Sequence, residues 1–216
     1  MANVTPLSRE DLPQLESILA GSEAMMGFVP NSMLTMGHMP QLTMAFSLLA
    51  GTVFGADLKA RLPGMGDEVP DDAQADEALT PGLVQLIAFS GSVASGCRYC
   101  QAHTSHNAHK AGIAEEKLAA VLRYEESELL DDAERAVIAI AMAAAQVPNA
   151  TDERHFAALR LHFTQRQIVQ IVAVIALFGF LNRWNDTMAT ELEGLPTQFA
   201  ADTLGNSGWE IGKHNG

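Results

Sequence analysis

The chain has two cysteines, and they stand three apart in Cys97-Arg98-Tyr99-Cys100. Random placement over 216 residues would give that spacing only about once in a hundred chains, so the pairing carries information. A thiol does redox or nucleophilic work as the thiolate, and an unperturbed cysteine of pKa about 8.5 is roughly 3% ionised at neutral pH. Ser95-Gly96 reads as a helix break, which puts Cys97 and Cys100 in the first turn of the next helix. There, free backbone N–H groups and the positive end of the helix dipole favour a thiolate, and Arg98 adds a positive charge. The two sulfurs share a helical face and can close a disulfide. These are the parts of a dithiol redox site.

The helix continues Gln101-Ala102-His103-Thr104-Ser105-His106-Asn107-Ala108-His109. His103, three residues after Cys100 and on its face, is placed to accept a thiol proton or to stand as imidazolium beside the thiolate. His106 is the next candidate, and His109 lies too far round. Tyr99 is either a hydroxyl donor or a packing aromatic, and packing is favoured. Cys97, Cys100, His103 and His106 are also zinc-ligand types, but each step of three rotates the side chain by about −60°, so one helix wraps an ion poorly. No metal and no cofactor is expected. His38, His155, His162 and His214 have no partner spacing and read as surface or packing residues. Trp184, Asn185 and Asp186 can wall a pocket, although Arg183 and Asp186 at i,i+3 read more simply as a surface ion pair.

The elements that must hold this site are helices, because period-two alternation is nearly absent and Pro and Gly clusters divide the chain into helical blocks. The fold class is all-α. Expected helices run from Ser8, as N-cap, to Ala20 with Gly21 as the stop, near Ser32–Met36, and from Pro40 to Phe54. Thr80-Pro81 starts the helix that leads to the cysteines. Later blocks are Tyr99–Ala111, Ala114–Arg123, Asp131–Gln146 and Asp152–His162. Thr164 to Gln167 is a capping box for an apolar run from Ile168 to Leu181. Those fourteen residues fall short of the roughly 20 that span a bilayer, so a buried core helix is expected. Leu83-Val84-Gln85-Leu86-Ile87-Ala88 echoes Ile168-Val169-Gln170-Ile171-Val172-Ala173, which allows an internal helical repeat.

The expected organisation is one domain: a helical arm over 1–61 packing on the rest, an acidic loop over 62–78, the dithiol core over 79–193, and a C-terminal tail over 194–216. A formal charge of −13 repels nucleic acid and anionic membranes over most of the surface, so neither is an expected partner. Two cysteines cannot staple a secreted framework, and the N-terminus shows no signal-peptide pattern, so the expected location is cytoplasmic.

Helix, Gly96, the Cys97–Cys100 motif, a histidine within one turn, and Ala111-Gly112-Ile113 before another helix resemble the alkylhydroperoxidase AhpD-like, carboxymuconolactone decarboxylase family. Gly27-Phe28-Val29-Pro30-Asn31, Pro40-Gln41-Leu42 and the closing Phe180-Leu181-Asn182-Arg183-Trp184-Asn185-Asp186 are similar to its peroxidase-related branch. The likeness covers roughly residues 20–193. It implies an all-helical, oligomeric AhpD-like bundle in which the second cysteine, here Cys100, attacks peroxide and the first, here Cys97, resolves the product. Two positions depart from the family. Its usual glutamate is Gln85 here, and its usual histidine is Thr104. Glutamine cannot take a proton, so His103 is the expected substitute; Gln85 either orients a water or a histidine, or is a satisfied core residue like Gln170.

The expected function is thus a thiol peroxidase: an enzyme that reduces a small peroxide through a dithiol–disulfide cycle and is restored by an external dithiol reductant, as a homo-oligomer. One alternative is a lyase acting on a small carboxylated lactone. Another is a non-enzymatic helical oligomer whose cysteine pair senses redox state or binds a metal.

Overall fold

In a computed structural model, which describes residues 2–62, 64–65 and 68–215, the chain is all-α and the described residues contain no strand. Pro63, Gly66 and Asp67, part of the expected acidic loop, lie outside the described residues. The described residues form eleven α-helices in order: α1 Glu16–Met26, α2 Asn31–Met36, α3 Pro40–Val53, α4 Leu58–Arg61, α5 Pro81–Ser95, α6 Arg98–Lys110, α7 Glu115–Ala120, α8 Asp132–Ala144, α9 Glu153–Arg160, α10 Gln165–Met188 and α11 Gly194–Leu204.

Local signals in the sequence set the central helices. Thr80 caps α5 by accepting the Leu83 N–H at 3.4 Å, and Pro81 occupies the first turn. Gly96 ends α5 at φ 74°, a left-handed conformation that glycine adopts without steric cost. Thr164 and Gln167 form the reciprocal capping box of α10, at 3.3 and 2.9 Å. α5 is central because it feeds two clusters. Leu86 and Phe89 pack with Cys97, Tyr99, Leu204 and Trp209, while Ile87 and Ala88 pack with Val137, Ile140, Ile171, Val174 and Leu177. Each large apolar side chain buried this way contributes roughly 1.5–3 kcal/mol. A smaller cluster of Leu12, Leu15, Leu19 and Met33 lies under the N-terminal arm.

Several expectations change. Gly21 does not stop the first helix, which runs on to Gly27 at φ 90°; a glycine inside an exposed helix costs only about 1 kcal/mol. Ser8 caps no α-helix, and its hydroxyl donates to the Asp11 carboxylate. The helix that carries the fourteen-residue apolar run extends over 24 residues and is by length and composition long enough to cross a membrane. Its buried face carries Ile171, Val174, Leu177 and Phe178 into the core and hydrogen-bonds other elements through Gln170, Asn182 and Asn185. Residues 194–215, within the expected C-terminal tail, form α11 and a following turn, and their Ala200, Leu204 and Trp209 belong to the same cluster as the cysteines.

Candidate active site

Cys97 is the N-cap of α6: its sulfur accepts the Cys100 N–H at 3.4 Å. Both cysteines are reduced and shielded, with 0% and 2% of their surface exposed. Asn185 of α10 donates to the Cys100 sulfur at 3.5 Å. The decisive neighbour comes from the far end of the chain. His214 is 1% exposed; its Nδ1 bonds the Thr190 carbonyl at 2.8 Å, which makes Nδ1 the donor and leaves Nε2 to face the sulfur. Asp186 Oδ1 lies 3.8 Å from that same Nε2. The Cys97 sulfur, the His214 nitrogen and the Asp186 oxygen all fall within 4.8 Å of one another. These donor types also ligate metals; in this arrangement His214 Nε2 is buried beside the sulfur without a hydrogen-bond partner of its own.

The two thiols are driven apart electrostatically. A hydrogen bond from the Cys100 thiol, then the nearness and charge of His214, outweigh burial and lower Cys97 from 9.0 to about 6. Burial pushes Cys100 well up, and the Cys97 sulfur and Asp186 add to the shift. Both shifts favour the thiolate on Cys97 over Cys100.

His103, the expected base, is committed elsewhere. Its Nε2 meets Glu193 Oε2 at 2.6 Å, while its ring stacks on Tyr99 at 4.3 Å and takes Phe28 edge-on at 5.5 Å. Glu193 Oε1 also accepts from the Tyr99 hydroxyl at 3.0 Å and from the Asn31 N–H at 2.5 Å. Burial raises the Glu193 carboxyl, but His103 and the Asn31 N–H leave it below its usual range. Thr104 bonds back to the Cys100 carbonyl at 2.6 Å, a helix-internal contact away from the sulfur. His106 faces Phe199 of α11, and its pKa is lowered by burial and by the nearby Lys110. Arg98 donates to Gln101 rather than to a sulfur.

Gln85 and Gln170 part company. Gln170 accepts from the Leu79 N–H and donates to the Val53 carbonyl, both at 3.0 Å, whereas Gln85 keeps a buried carbonyl oxygen without a partner. Asp186 pairs with Lys213 at 2.8 Å and not with Arg183, whose guanidinium reaches the Gly179 carbonyl. Trp184 lines a hollow of about 540 Å³ with Phe180, Arg183 and Met188, which includes neither sulfur.

Sequence spacing missed His214 and Glu193. Neither lies near the motif along the chain, and both reach it only because the 189–215 segment folds back over α6. The buried position of Trp209 depends on that return, so an apolar Trp in a supposed tail was the available signal.

The comparisons agree with this architecture. The sequence profile of the Carboxymuconolactone decarboxylase family matches residues 67–143. The crystal structure of the debrominase Bmp8 is 34% identical, with a TM-score of 0.77 over 93% of this chain and 97% of that one. A cysteine-to-alanine variant of Bmp8 in complex with 2,3,4-tribromopyrrole superposes with the same score. An uncharacterized peroxidase-related protein from Ralstonia eutropha JMP134, described as an alkylhydroperoxidase AhpD core, shares the fold at 23% identity and a TM-score of 0.69, over 90% of this chain and 94% of that one. The uncharacterized protein YnjA of Escherichia coli K12 is 29% identical over 117 residues, 54% of this chain and 64% of its own length. The fold is thus shared with the debrominase Bmp8 and with the AhpD-core protein. By its profile match, its helices and its full-length similarity to Bmp8, the chain belongs to the alkylhydroperoxidase AhpD-like, carboxymuconolactone decarboxylase family.

Proposed function

We propose that the protein is a thiol oxidoreductase that reduces a small peroxide through Cys97 and Cys100. The observation that carries this reading is the convergence of a helix N-terminus, a second thiol and the His214 ring on one sulfur. In the proposed cycle the Cys97 thiolate attacks the peroxide oxygen and the O–O bond breaks. The departing alkoxide or hydroxide takes the proton that His214 Nε2 accepted from the Cys97 thiol. Cys97 is then a sulfenic acid; the Cys100 sulfur attacks it, a disulfide forms, and the Cys100 proton leaves with the hydroxyl group as water. An external dithiol restores both thiols. These roles reverse those implied by the resemblance, because the charge of the pair rests on Cys97. Shielding of both sulfurs favours small peroxides over bulky ones.

A second reading is favoured by the likeness to Bmp8, which exceeds that to the peroxidase-related protein. The same thiolate attacks a ring-bound bromine; the carbon takes a proton, and Cys100 then expels bromide as the disulfide closes. The helix faces around α3 and α10, with Val169 (68% exposed), Val172, Met44 and Leu49 outside the core, fit burial against a second copy in a homo-oligomer. A cytoplasmic location suits a dithiol that must be kept reduced.

The deciding experiment mixes the reduced protein with one equivalent of hydrogen peroxide or of a bromopyrrole and weighs the product. Loss of two hydrogens in one arm identifies the oxidant class. The Cys100→Ser variant should stop at a sulfenic acid on Cys97, and Cys97→Ser should be inert. Lactone turnover that survives Cys97→Ser, with no disulfide under either oxidant, would overturn the reading.

A further inference from the structure

We propose that Glu193 is a positioning residue for the thiol chemistry: its grip on α2 and α6 fixes the 189–193 segment, and that segment holds His214 in register against Cys97. The inference rests on the reading that Cys97 is the working thiol.

Glu193 stands at the N-cap of α11, yet its side chain caps nothing there. It turns inward and buries a carboxylate, which is costly unless every oxygen is bonded. The bonds are present and come from two separate elements: the Asn31 N–H of α2, and the Tyr99 hydroxyl and His103 ring of α6. Asn31 adds a second tie through its side-chain amide to the Glu191 carbonyl at 3.0 Å. One residue away, the Leu192 N–H donates to the His214 carbonyl at 3.0 Å, and the Thr190 carbonyl accepts from His214 Nδ1. The imidazole is therefore held at its backbone and at its ring by the two residues that flank Glu191, inside the stretch that Glu193 pins. The Thr190 carbonyl thereby sets Nδ1 as the donor nitrogen. Tyr99 spans both ends of this chain of contacts, stacking on His103 and lying 5.9 Å from the His214 ring.

The groups facing Cys97 are Cys100 from α6, His214 from the C-terminal turn and Asp186 from α10, itself paired with Lys213. α5, which leads into Cys97, carries no titratable side chain. Displacing the 189–193 segment would therefore act on Cys97 chiefly through His214.

The test is the pH midpoint of Cys97 thiolate formation, read by thiolate absorbance and by the rate of alkylation with a small haloacetamide in the Cys100→Ser background and in the native pair. Glu193→Gln should raise the midpoint by about half a unit, a roughly threefold fall in thiolate below it. Glu193→Asp should recover part of the shift. Tyr99→Phe, which removes one hydrogen bond and keeps the ring, should move it in the same direction by less, and it serves as the arm that counts if Glu193→Gln fails to fold. A purely structural role would lower the melting temperature and leave the midpoint alone; that result in folded variants would overturn the proposal. Absence of any reaction with peroxide or bromopyrrole would refute the proposed activity while leaving this measurement decisive for Glu193.

Discussion

Two histidine–carboxylate pairs flank Tyr99, and they differ in how completely they are closed. His103 and Glu193 meet at 2.6 Å, both almost fully buried, and each Glu193 oxygen has a donor. His214 and Asp186 stand 3.8 Å apart; the ring is buried, the carboxylate side chain is 46% exposed, and the ring nitrogen between them faces a sulfur. A pair whose carboxylate oxygens are both bonded to protein donors, and whose imidazole Nε2 is spent on one of them, can hold segments together but turns neither group toward a reacting atom. A pair with an imidazole nitrogen turned to a thiol, and a carboxylate open to solvent, can pass a proton. Residue type and helical spacing do not separate the two; partner count does.

The largest way to break the comparison is His214→Gln, which removes the ring but keeps a polar side chain. The Cys97 midpoint, lowered to about 6 in the intact protein, should rise by about one unit, and alkylation below the midpoint should slow roughly tenfold. His103→Gln should change it far less. If His103→Gln has the larger effect, the two roles are exchanged.

A second test uses acid. Glu193 is held below its ordinary value of 4.5 in the folded protein, so the unfolded chain binds more protons through that range. Its stabilisation is thus complete above about 4.5 and is lost as the pH falls through the lower folded value. Glu193→Gln should cost roughly 1–2 kcal/mol near neutral pH by leaving buried donors weakly paired, and denaturant midpoints should then fall less steeply with acid than in the native chain. An unchanged acid limb would count against the closed pair. The smallest effect is expected for Arg183→Ala, within about 0.5 kcal/mol, since its hydrogen bond goes to an exposed carbonyl of its own helix.

Much of this was readable from local chemistry. Thr80 with Pro81, the Thr164–Gln167 box and Gly96 each specify a helix end within a few residues, so α5, α6 and α10 begin where short-range rules put them. The cysteine pair was legible for the same reason. His214 was not, because its partner lies more than half the chain away, and no periodicity records a contact made by a returning segment. His103 illustrates the converse: three residues from Cys100 is the right spacing for a base, but a buried glutamate from elsewhere took the ring. Asp186 followed the same pattern, leaving Arg183 at i,i+3 for Lys213. The twin glutamines looked equivalent in sequence, and only tertiary contacts show one satisfied and one with an orphaned oxygen.

The approach of His214 to Cys97 from the far end of the chain has a consequence for biosynthesis. Chains emerge N-terminal end first at about 5–20 residues per second, so α6 is made several seconds before the turn that carries His214. During that interval Cys97 lacks the imidazole and behaves more nearly as an ordinary thiol, largely protonated and slow to react. The low pKa of Cys97 thus arrives with completion of the fold, when the C-terminal turn brings the imidazole to the sulfur.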